Sequence, residues 1–480
     1  MVKIITDICT AFCQETVLIA AIFIYMLCAL LFGKHFYKKS KWAAILAVIA
    51  VIISTLKVQV SPNYYAFNGA FLSNFYVVFI KSLVLLCAFF VILFSKNVVI
   101  KARTRIFDFF TLILLATLGA LCVTGSNDFV TMFVSFELMG ISSYILATFS
   151  KTIKSKEAGI KYAITGGVAS ALMLIGIAYI YLGVGSLNFD VIYSVVKDGS
   201  FQSVFYNIGC VLCALGLCFR MGLVPFSSWL PDTFEGTTNN IASFISMVPV
   251  FAAFGIVSRL IVFIFQYTPM VQLMLFIIGV LSIYKGFLGA IRQDNLRRFM
   301  GYSSIAQFGF IMLGFCLANP YATSASLFYM FSYIFMNAAA WAAVILFTNV
   351  KGKNNISDLK GIVYSNKSFS LVWIISFVSF MGFPVTAGFW AKIYLYLAVI
   401  KCSELYLLLL IITMIGGLIG INAYFRQIRE MFEVQENEFF ENPKFNAPRL
   451  ALYICSIITV LVCIYPERIV QICQFIAYKL

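Results

Sequence analysis

Four charged side chains lie inside long apolar stretches of this 480-residue chain. They are Glu137, Arg220, Lys285 and Lys392. An unpaired charge inside a membrane costs on the order of several kcal/mol, so such side chains pair with one another or line a polar pathway. The chemistry that this pattern favours is the transfer of protons.

Each of the four residue types suits a different task. Glu137 fits a carboxylate coupled to a proton path, with a purely structural ion pair as the alternative. Arginine keeps its proton, so Arg220 fits a fixed counter-charge or a gate that organises water, and a snorkelling arginine is the alternative. A buried lysine can release its proton because burial disfavours the charged form, so Lys392 fits a proton station. Lys285 fits an interior relay, with snorkelling or ion pairing as alternatives.

Two interrupted helices position these charges. In Phe219–Arg259 an apolar helix carries Arg220 and then meets Pro225, which lacks an amide proton and breaks the helix. In Phe380–Tyr394 a similar run is interrupted at Pro384, and Lys392 follows. Paired interrupted segments in two parts of a chain indicate a transport site.

The composition predicts an all-α polytopic membrane protein. Of the residues 62% are hydrophobic and 11% charged, whereas soluble domains carry about 25% charged residues. Apolar runs of about 20 residues predict about fourteen transmembrane helices. Because these runs are continuous rather than alternating, they argue against a β-barrel.

The order of the spans predicts two inverted five-helix repeats, each with a broken helix as its fourth member. The predicted segments are a three-helix segment (1–106), two repeats (107–265 and 266–430), and a cytoplasmic loop with the last transmembrane helix (431–480). The run Thr16–Phe32 is predicted to be a retained first helix rather than a cleaved signal.

The net charge of +15 comes from Lys and Arg in short loops between apolar runs. Since the basic loops are the odd-numbered ones, the positive-inside rule places them in the cytoplasm and both termini on the other side. This distribution argues against a nucleic-acid partner. The 13 Cys lie mostly within apolar runs, so we expect no metal site, and no nucleotide or iron–sulfur motif is present.

Other polar residues in the spans are weaker candidates. Lys81 lies within a span and Lys57 close to the end of one, where snorkelling is easy. Arg259 ends its helix, so membrane anchoring is the expected role. Asp232 and Glu235 follow the first break and suit helix capping or a structural turn.

A third polar group lies on one predicted helix. In GYSSIAQFGF, Ser303, Ser304 and Gln307 share a helix and could hold water or bond neighbouring helices.

Four motifs together resemble the antiporter-like subunits of respiratory complex I. They are FELMG around Glu137, FRMGLVPFSSWLPDTFEG, NLRRFMGYSSIAQFGF and GFPVTAGFWAKIY. Their order and spacing fit from about Phe107 to Arg429. Within the family the DTFEG motif, Ser227 after the Pro-Phe pair and the short tail resemble the N-type subunits most.

The resemblance implies a buried axis of Glu and Lys residues that carries protons. Glu137 matches the family's fifth-span Glu and Lys392 its twelfth-span Lys. Three positions depart from the pattern. Arg220 replaces the seventh-span Lys, Val250 occupies the place of the eighth-span Lys, and Gln307 stands where many relatives have His.

The resemblance implies a proton-translocating subunit of NADH:quinone oxidoreductase in the bacterial cytoplasmic membrane. Its implied partners are the lipid bilayer and the other membrane subunits of complex I. NAD, FMN, iron–sulfur clusters and quinone are expected on those partner subunits, with no cofactor on this chain. The alternatives are a subunit of a multi-chain sodium/proton antiporter or membrane-bound hydrogenase, and a structural subunit that does not pump.

Overall fold

The computed structural model describes residues 10–36, 39–55, 58, 63–95, 106–402, 405–434 and 447–480. Within these residues it contains nineteen α-helices and one two-stranded hairpin. Eleven of the helices are long and apolar enough to cross a membrane, and two shorter ones are also apolar. The chain is therefore a multi-pass helical membrane protein, as predicted.

The chain divides into two compact units. The first comprises residues 1–221, 244–275 and 476–480. Its helices are α1 (Cys13–Phe36), α2 (Ser40–Thr55), α3 (Phe75–Phe94), α4 (Ile106–Gly125), α5 (Phe129–Ala147), α6 (Ile153–Val184), α7 (Phe189–Lys197), α8 (Ser203–Arg220) and most of α10 (Asn239–Phe263). Strands β1 (Tyr64–Ala66) and β2 (Phe71–Ser73) pair antiparallel, with Tyr64 opposite Ser73.

The second unit comprises residues 222–243 and 276–475. Its helices are α9 (Trp229–Gly236), most of α11 (Pro269–Ile291), α12 (Leu296–Phe315), α13 (Pro320–Lys351), α14 (Ile362–Ser365), α15 (Lys367–Met381), α16 (Ala387–Cys402), α17 (Leu405–Phe432), α18 (Ala447–Ile464) and most of α19 (Pro466–Tyr478). Helix α13 has buried side chains along almost its whole length, so it forms the centre of this unit.

Local sequence explains where several of these helices begin. The side chains of Asn74, Asp128, Thr152 and Asn295 each accept a hydrogen bond from a backbone N–H in the first turn of the helix that follows. Short polar side chains satisfy amide groups that have no partner within the helix. In a largely apolar chain, such residues mark the boundaries of the spans.

Close packing of α6 against α8 depends on small residues. A methyl group on Gly176 would come within 2.4 Å of the backbone nitrogen of Cys213, and one on Gly209 within 2.6 Å of that of Ile180. Small residues allow membrane helices to approach at backbone distance. This approach brings the α6 residue Ser170 close to Arg220 at the end of α8.

The structure confirms both predicted interruptions. Helix α8 ends at Arg220, residues 221–228 form turns, and α9 begins at Trp229. Helix α15 ends at Met381, residues 382–386 are non-helical, and α16 begins at Ala387. Each interruption contains a proline, which cannot continue a helix by hydrogen bonding, and a glycine with positive φ.

Each predicted five-helix repeat therefore contains a broken helix as its fourth span. The four predicted segment boundaries stay predictions, as does the orientation of the termini. The loop residues that supported that orientation and that lie outside the described residues are Lys38, Lys96, Lys101, Arg103 and Arg105. Lys57, a weaker candidate, also lies outside them.

Candidate functional site

Glu137 and Arg220 form an ion pair in the first unit. The Nη2 atom of Arg220 lies 2.6 Å from Oε1 of Glu137. Ser170 joins them, since its hydroxyl donates to the same carboxylate oxygen at 2.7 Å and accepts from Nη2 at 2.8 Å. Three helices, α5, α6 and α8, therefore meet at one hydrogen-bonded triad.

The surroundings of the triad fix the guanidinium. Its Nη1 atom donates to the hydroxyl of Tyr144 at 3.3 Å. The guanidinium also lies over the Phe136 ring, 5.3 Å from its centroid. Gly140 leaves the space that it needs, because a methyl group there would come within 2.8 Å of Nη1.

The two partners of this ion pair differ in accessibility. Only 4% of the Arg220 side chain is accessible, against 31% of the Glu137 side chain. The snorkelling alternative for Arg220 is therefore wrong, because its head group is bound inside the protein. Arginine does not release its proton, so the carboxylate is the member of the pair that can exchange one. Sequence reasoning missed Ser170 and Tyr144, whose types are common in membrane helix packing.

Lys392 is a buried cation beside the second break. Its Nζ atom donates to the carbonyl oxygens of Phe380 and Met381, at 3.0 and 2.8 Å. These carbonyls are exposed to the side chain because α15 ends there and the next helical turn is missing. Among the described residues no carboxylate pairs with Lys392. Its ammonium lies 4.9 Å from the ring centroid of Phe310 instead.

A chain of buried polar groups runs from Lys392 through Gln307. The Phe380 carbonyl that accepts from Lys392 also accepts from Nε2 of Gln307 at 3.3 Å. Tyr329 donates to Oε1 of Gln307 at 2.5 Å, and Nε2 donates to the hydroxyl of Tyr424 at 3.1 Å.

The chain continues on α12. The hydroxyl of Tyr424 lies 2.5 Å from that of Ser303. Ser304 accepts from Tyr333 at 3.2 Å and donates to the backbone of its own helix. Sequence reasoning identified the serines and Gln307, but not the three tyrosines that bind them.

The two prolines and Lys285 make few polar contacts. Pro225 and Pro384 are exposed, so their effect on the site is to end the helices rather than to touch the charges. Lys285 is half-buried in α11 and makes no hydrogen bond or ion pair within the described residues. Val250 is fully buried in α10, where it follows Pro249.

The acidic residues after the first break form ion pairs in the second unit. Arg298 on α12 lies 3.2 Å from a carboxylate oxygen of Asp232 and 2.8 Å from one of Glu235. These contacts agree with the structural role expected from the sequence, since they attach α9 to α12. Within the described residues no cluster of three His, Cys, Asp or Glu side chains has the arrangement of a metal site.

Two further cations of the first unit are buried. Arg259 is fully inaccessible and donates to the backbone oxygen of Ser126 and to the side chain of Asn127, so the expectation that it anchors the chain at the membrane surface is wrong. Lys81 pairs at 2.7 Å with Glu15, an acid that sequence reasoning missed. Helix α1 begins at Cys13, three residues before the predicted span, and so includes Glu15.

Comparison with known proteins finds similarity to membrane-protein subunits over most of the chain. Residues 126–419 match the family described as NADH:quinone oxidoreductase/Mrp antiporter, transmembrane. The chain is 31% identical over 430 residues to NADH-quinone oxidoreductase subunit N of Beijerinckia indica, and the match covers 88% of each protein.

Solved structures share the fold. A chain of respiratory complex I from Thermus thermophilus has a TM-score of 0.81 at 22% identity, covering 95% of this chain and 98% of that one. A chain of an archaeal membrane-bound sulfane sulfur reductase has a TM-score of 0.89 at 22% identity, covering 98% and 97%. On the family match and the 31% identity, this chain belongs to the antiporter-like membrane subunits of the NADH:quinone oxidoreductase and Mrp antiporter family.

Proposed function

We propose that this chain is a proton-translocating membrane subunit of an NADH:quinone oxidoreductase. The observation that carries the proposal is Lys392, a buried lysine held by unwound backbone and joined to a chain of buried hydroxyl and amide groups. Lys392 has no carboxylate partner in the part of the chain that the structure describes, so it can alternate between ammonium and amine without leaving a neighbouring carboxylate unpaired there. That is the property a proton station requires.

The residues have distinct tasks in this proposal. Lys392 holds and releases the proton, and the Phe380 and Met381 carbonyls orient its ammonium. Gln307 donates to the same Phe380 carbonyl, and with its tyrosine partners it holds the unwound backbone in the position in which that carbonyl accepts from Lys392. Glu137 is the carboxylate of the path in the first unit, and Arg220 is the fixed positive charge that binds it.

Partners and cofactors follow from this proposal. Redox energy reaches the chain from other membrane subunits of the complex as a change of conformation or of charge. NAD, FMN, iron–sulfur clusters and quinone bind to those partners, with no redox chemistry on this chain. The chain lies in the bacterial cytoplasmic membrane with both termini on the non-cytoplasmic side, since its basic loops are the odd-numbered ones.

The alternatives within the family, a subunit of a sodium/proton antiporter or of a membrane-bound hydrogenase, have less support than a subunit of NADH:quinone oxidoreductase. The relative at 31% identity is a subunit N of NADH-quinone oxidoreductase. The likeness to the sulfur reductase chain, at 22% identity, concerns the fold. The remaining alternative is a structural subunit that does not pump. Replacement of Lys392 distinguishes it from a proton-translocating subunit.

The test replaces Lys392 by Met in the assembled complex. Met keeps the apolar stem but removes the group that binds the proton. The control is Lys401→Met, on the same helix, where the lysine is exposed and lies over the Tyr321 ring. Quinone reduction and membrane acidification are measured together, and assembly is checked on a native gel.

We expect the Lys392→Met complex to assemble. It should move fewer protons per quinone reduced, and the difference should equal the number that this chain moves in the parent complex. A positioned acid–base group accelerates proton transfer by about a hundredfold or more, so its loss stops the path on the timescale of turnover. Lys401→Met should match the parent. A Lys392→Met complex that assembles and pumps like the parent would establish the structural reading instead.

A further inference from the structure

A second buried acid–base pair lies in the first unit, on two of its N-terminal helices. Lys81 on α3 and Glu15 in the first turn of α1 are 2.7 Å apart, from Nζ to Oε1. Both residues are almost completely inaccessible, with 1% and 0% of their surface exposed. Gln14, the neighbour of Glu15, is buried as well.

The pair lies against the end of α4. A methyl group on Gly125, the last residue of that helix, would come within 3.1 Å of the Lys81 nitrogen and 3.3 Å of the Phe71 ring. A larger residue would therefore displace the ammonium from its partner. The absence of a side chain at this position leaves room for the lysine head inside the helix bundle.

The same few residues of α4 and the following turn bind Arg259. Its guanidinium donates to the carbonyls of Thr124 and Ser126, at 3.4 and 2.7 Å, and to the side chain of Asn127 at 2.8 Å. Asn127 in turn donates to Asp190 at 2.7 Å.

Hydrogen-bonded polar groups therefore form a continuous series from the carboxylate of Asp190, through Asn127 and Arg259, to the buried end of α4. Asp190 is half-buried at the start of α7, whereas Arg259 and Asn127 are buried. Because arginine keeps its proton, Arg259 is a fixed charge here, and the acid–base groups named in this region that can exchange one are Asp190 and the Glu15–Lys81 pair.

Packing does not by itself explain a pair that is so deeply buried. Both ions lose their hydration, and replacing such a pair by apolar residues of similar size is often neutral or stabilising. The pair has two neutral arrangements, carboxylate with ammonium or carboxylic acid with amine, which differ by one proton moved over the 2.7 Å contact. Gain or loss of one more proton changes its net charge by one.

We propose that Glu15 and Lys81 form a second proton-holding site of this chain, at the end of α4 in the first unit. The inference rests on the proposed function, since the site serves proton translocation. It adds two residues of the N-terminal helices to those that take part, and it assigns Gly125 the task of making room for the lysine head.

The test removes the pair without leaving an unpaired charge. In the assembled complex, Glu15→Gln and Lys81→Met are compared with the double variant Glu15→Met/Lys81→Met. The control is Glu157→Gln/Lys161→Met, which removes an exposed ion pair from α6. Protons moved per quinone reduced are measured in each, with Lys392→Met in parallel and assembly checked on a native gel.

We expect the apolar double variant to assemble and to lose as many protons per quinone as Lys392→Met does, while the exposed control matches the parent. A double variant that pumps normally would overturn the inference, and so would a failure of all three variants to assemble, since the pair would then serve packing. If Lys392→Met lowers the number of protons moved per quinone reduced and the double variant does not, only the inference about Glu15 and Lys81 fails. If neither Lys392→Met nor the double variant lowers that number, the proposed function fails.

Discussion

Replacing Arg220 by Ala should separate the two roles of the Glu137–Arg220 pair. The change removes a charged hydrogen bond of 2.6 Å to Glu137, one of 2.8 Å to Ser170 and one of 3.3 Å to Tyr144. The Glu137 carboxylate then keeps the Ser170 hydroxyl as a donor but loses its cation. Breaking a buried ion pair by removing one partner costs about 3–5 kcal/mol.

The accessibility of the two side chains decides which part of this range applies to the destabilisation by Arg220→Ala. The Glu137 side chain is 31% exposed, so we take the lower end, about 3 kcal/mol, for Arg220→Ala. Arg220→Lys keeps the positive charge but replaces the planar guanidinium, which donates from two separate nitrogens, by a single ammonium group. It should lose the weaker contact with Tyr144, for a cost of about 1 kcal/mol.

The assay combines thermal stability of the assembled complex on native gels with coupled quinone reduction and acidification. A double-mutant cycle with Glu137→Gln isolates the pair, because Arg220→Ala should cost far less once the carboxylate is an amide. We expect a coupling energy of about 2 kcal/mol, and Arg220→Lys should retain coupled turnover. Lys161→Ala, which removes an exposed partner of Glu157, is the control.

Strict additivity in this cycle would refute the reasoning, because it would mean that the 2.6 Å contact does not contribute. Parental turnover in both Arg220→Ala and Arg220→Lys would remove Arg220 from the proton path. Loss of turnover in Arg220→Ala together with retention in Arg220→Lys would show that a positive charge at this break is required.

Three further outcomes follow from the second unit. Gly382→Ala should weaken proton transport, because Gly382 has φ of +79° and a methyl group there would lie 2.7 Å from the Cδ atom of Lys392; acidification assays check this. Gln307→Leu should destabilise the complex by about 1–3 kcal/mol and slow turnover, because it leaves the buried hydroxyl of Tyr329 without its acceptor; heat-ramp native gels measure the stability. The hydrogen bond from Lys360, together with its charge, holds the pKa of Glu433 below its usual range. Stabilisation by this surface pair should therefore be lost as the pH falls through that lowered pKa, and Lys360→Met should abolish this part of the pH profile of unfolding.

Local signals in the sequence were enough to predict the helix breaks. Pro225 and Pro384 each follow an apolar run and a glycine, and proline and glycine act on the backbone at their own positions. The structure accordingly has both breaks where the sequence predicts them, after Arg220 and after Met381.

The contacts of the charged residues were harder to predict. Charge complementarity made Glu137 and Arg220 plausible partners, but they are 83 residues apart, and the contact depends on how α5, α6 and α8 pack. Tyr329 and Tyr424 bind Gln307 through hydroxyls that look like ordinary core aromatics in the sequence. Nothing in the local pattern distinguishes a tyrosine that binds an amide from one that fills space.

Two errors at helix ends have a common cause. Hydropathy begins the first span at Thr16, which excludes Glu15, and it gives no information about what covers Arg259 near the end of its span. In the structure α1 begins at Cys13 and includes Glu15, and the groups of Ser126 and Asn127 bind Arg259 inside the protein. Burial of these ends comes from neighbouring helices, and hydropathy has no information about those.

The absence of a lysine at Val250 restricts where protons can be held on this chain. Val250 is fully buried and cannot titrate, and the neighbouring interruption carries Arg220, which keeps its proton. Among the described residues, the carriers that we propose are then Glu137 and the Glu15–Lys81 pair in the first unit, and Lys285 and Lys392 in the second. A fixed charge does not pass a proton on, but its contacts hold α5, α6 and α8 together at the triad. Movement of α8 relative to α5 and α6 would break the contacts of Arg220 with Glu137 and Ser170, and we propose that redox energy acts on this chain in that form.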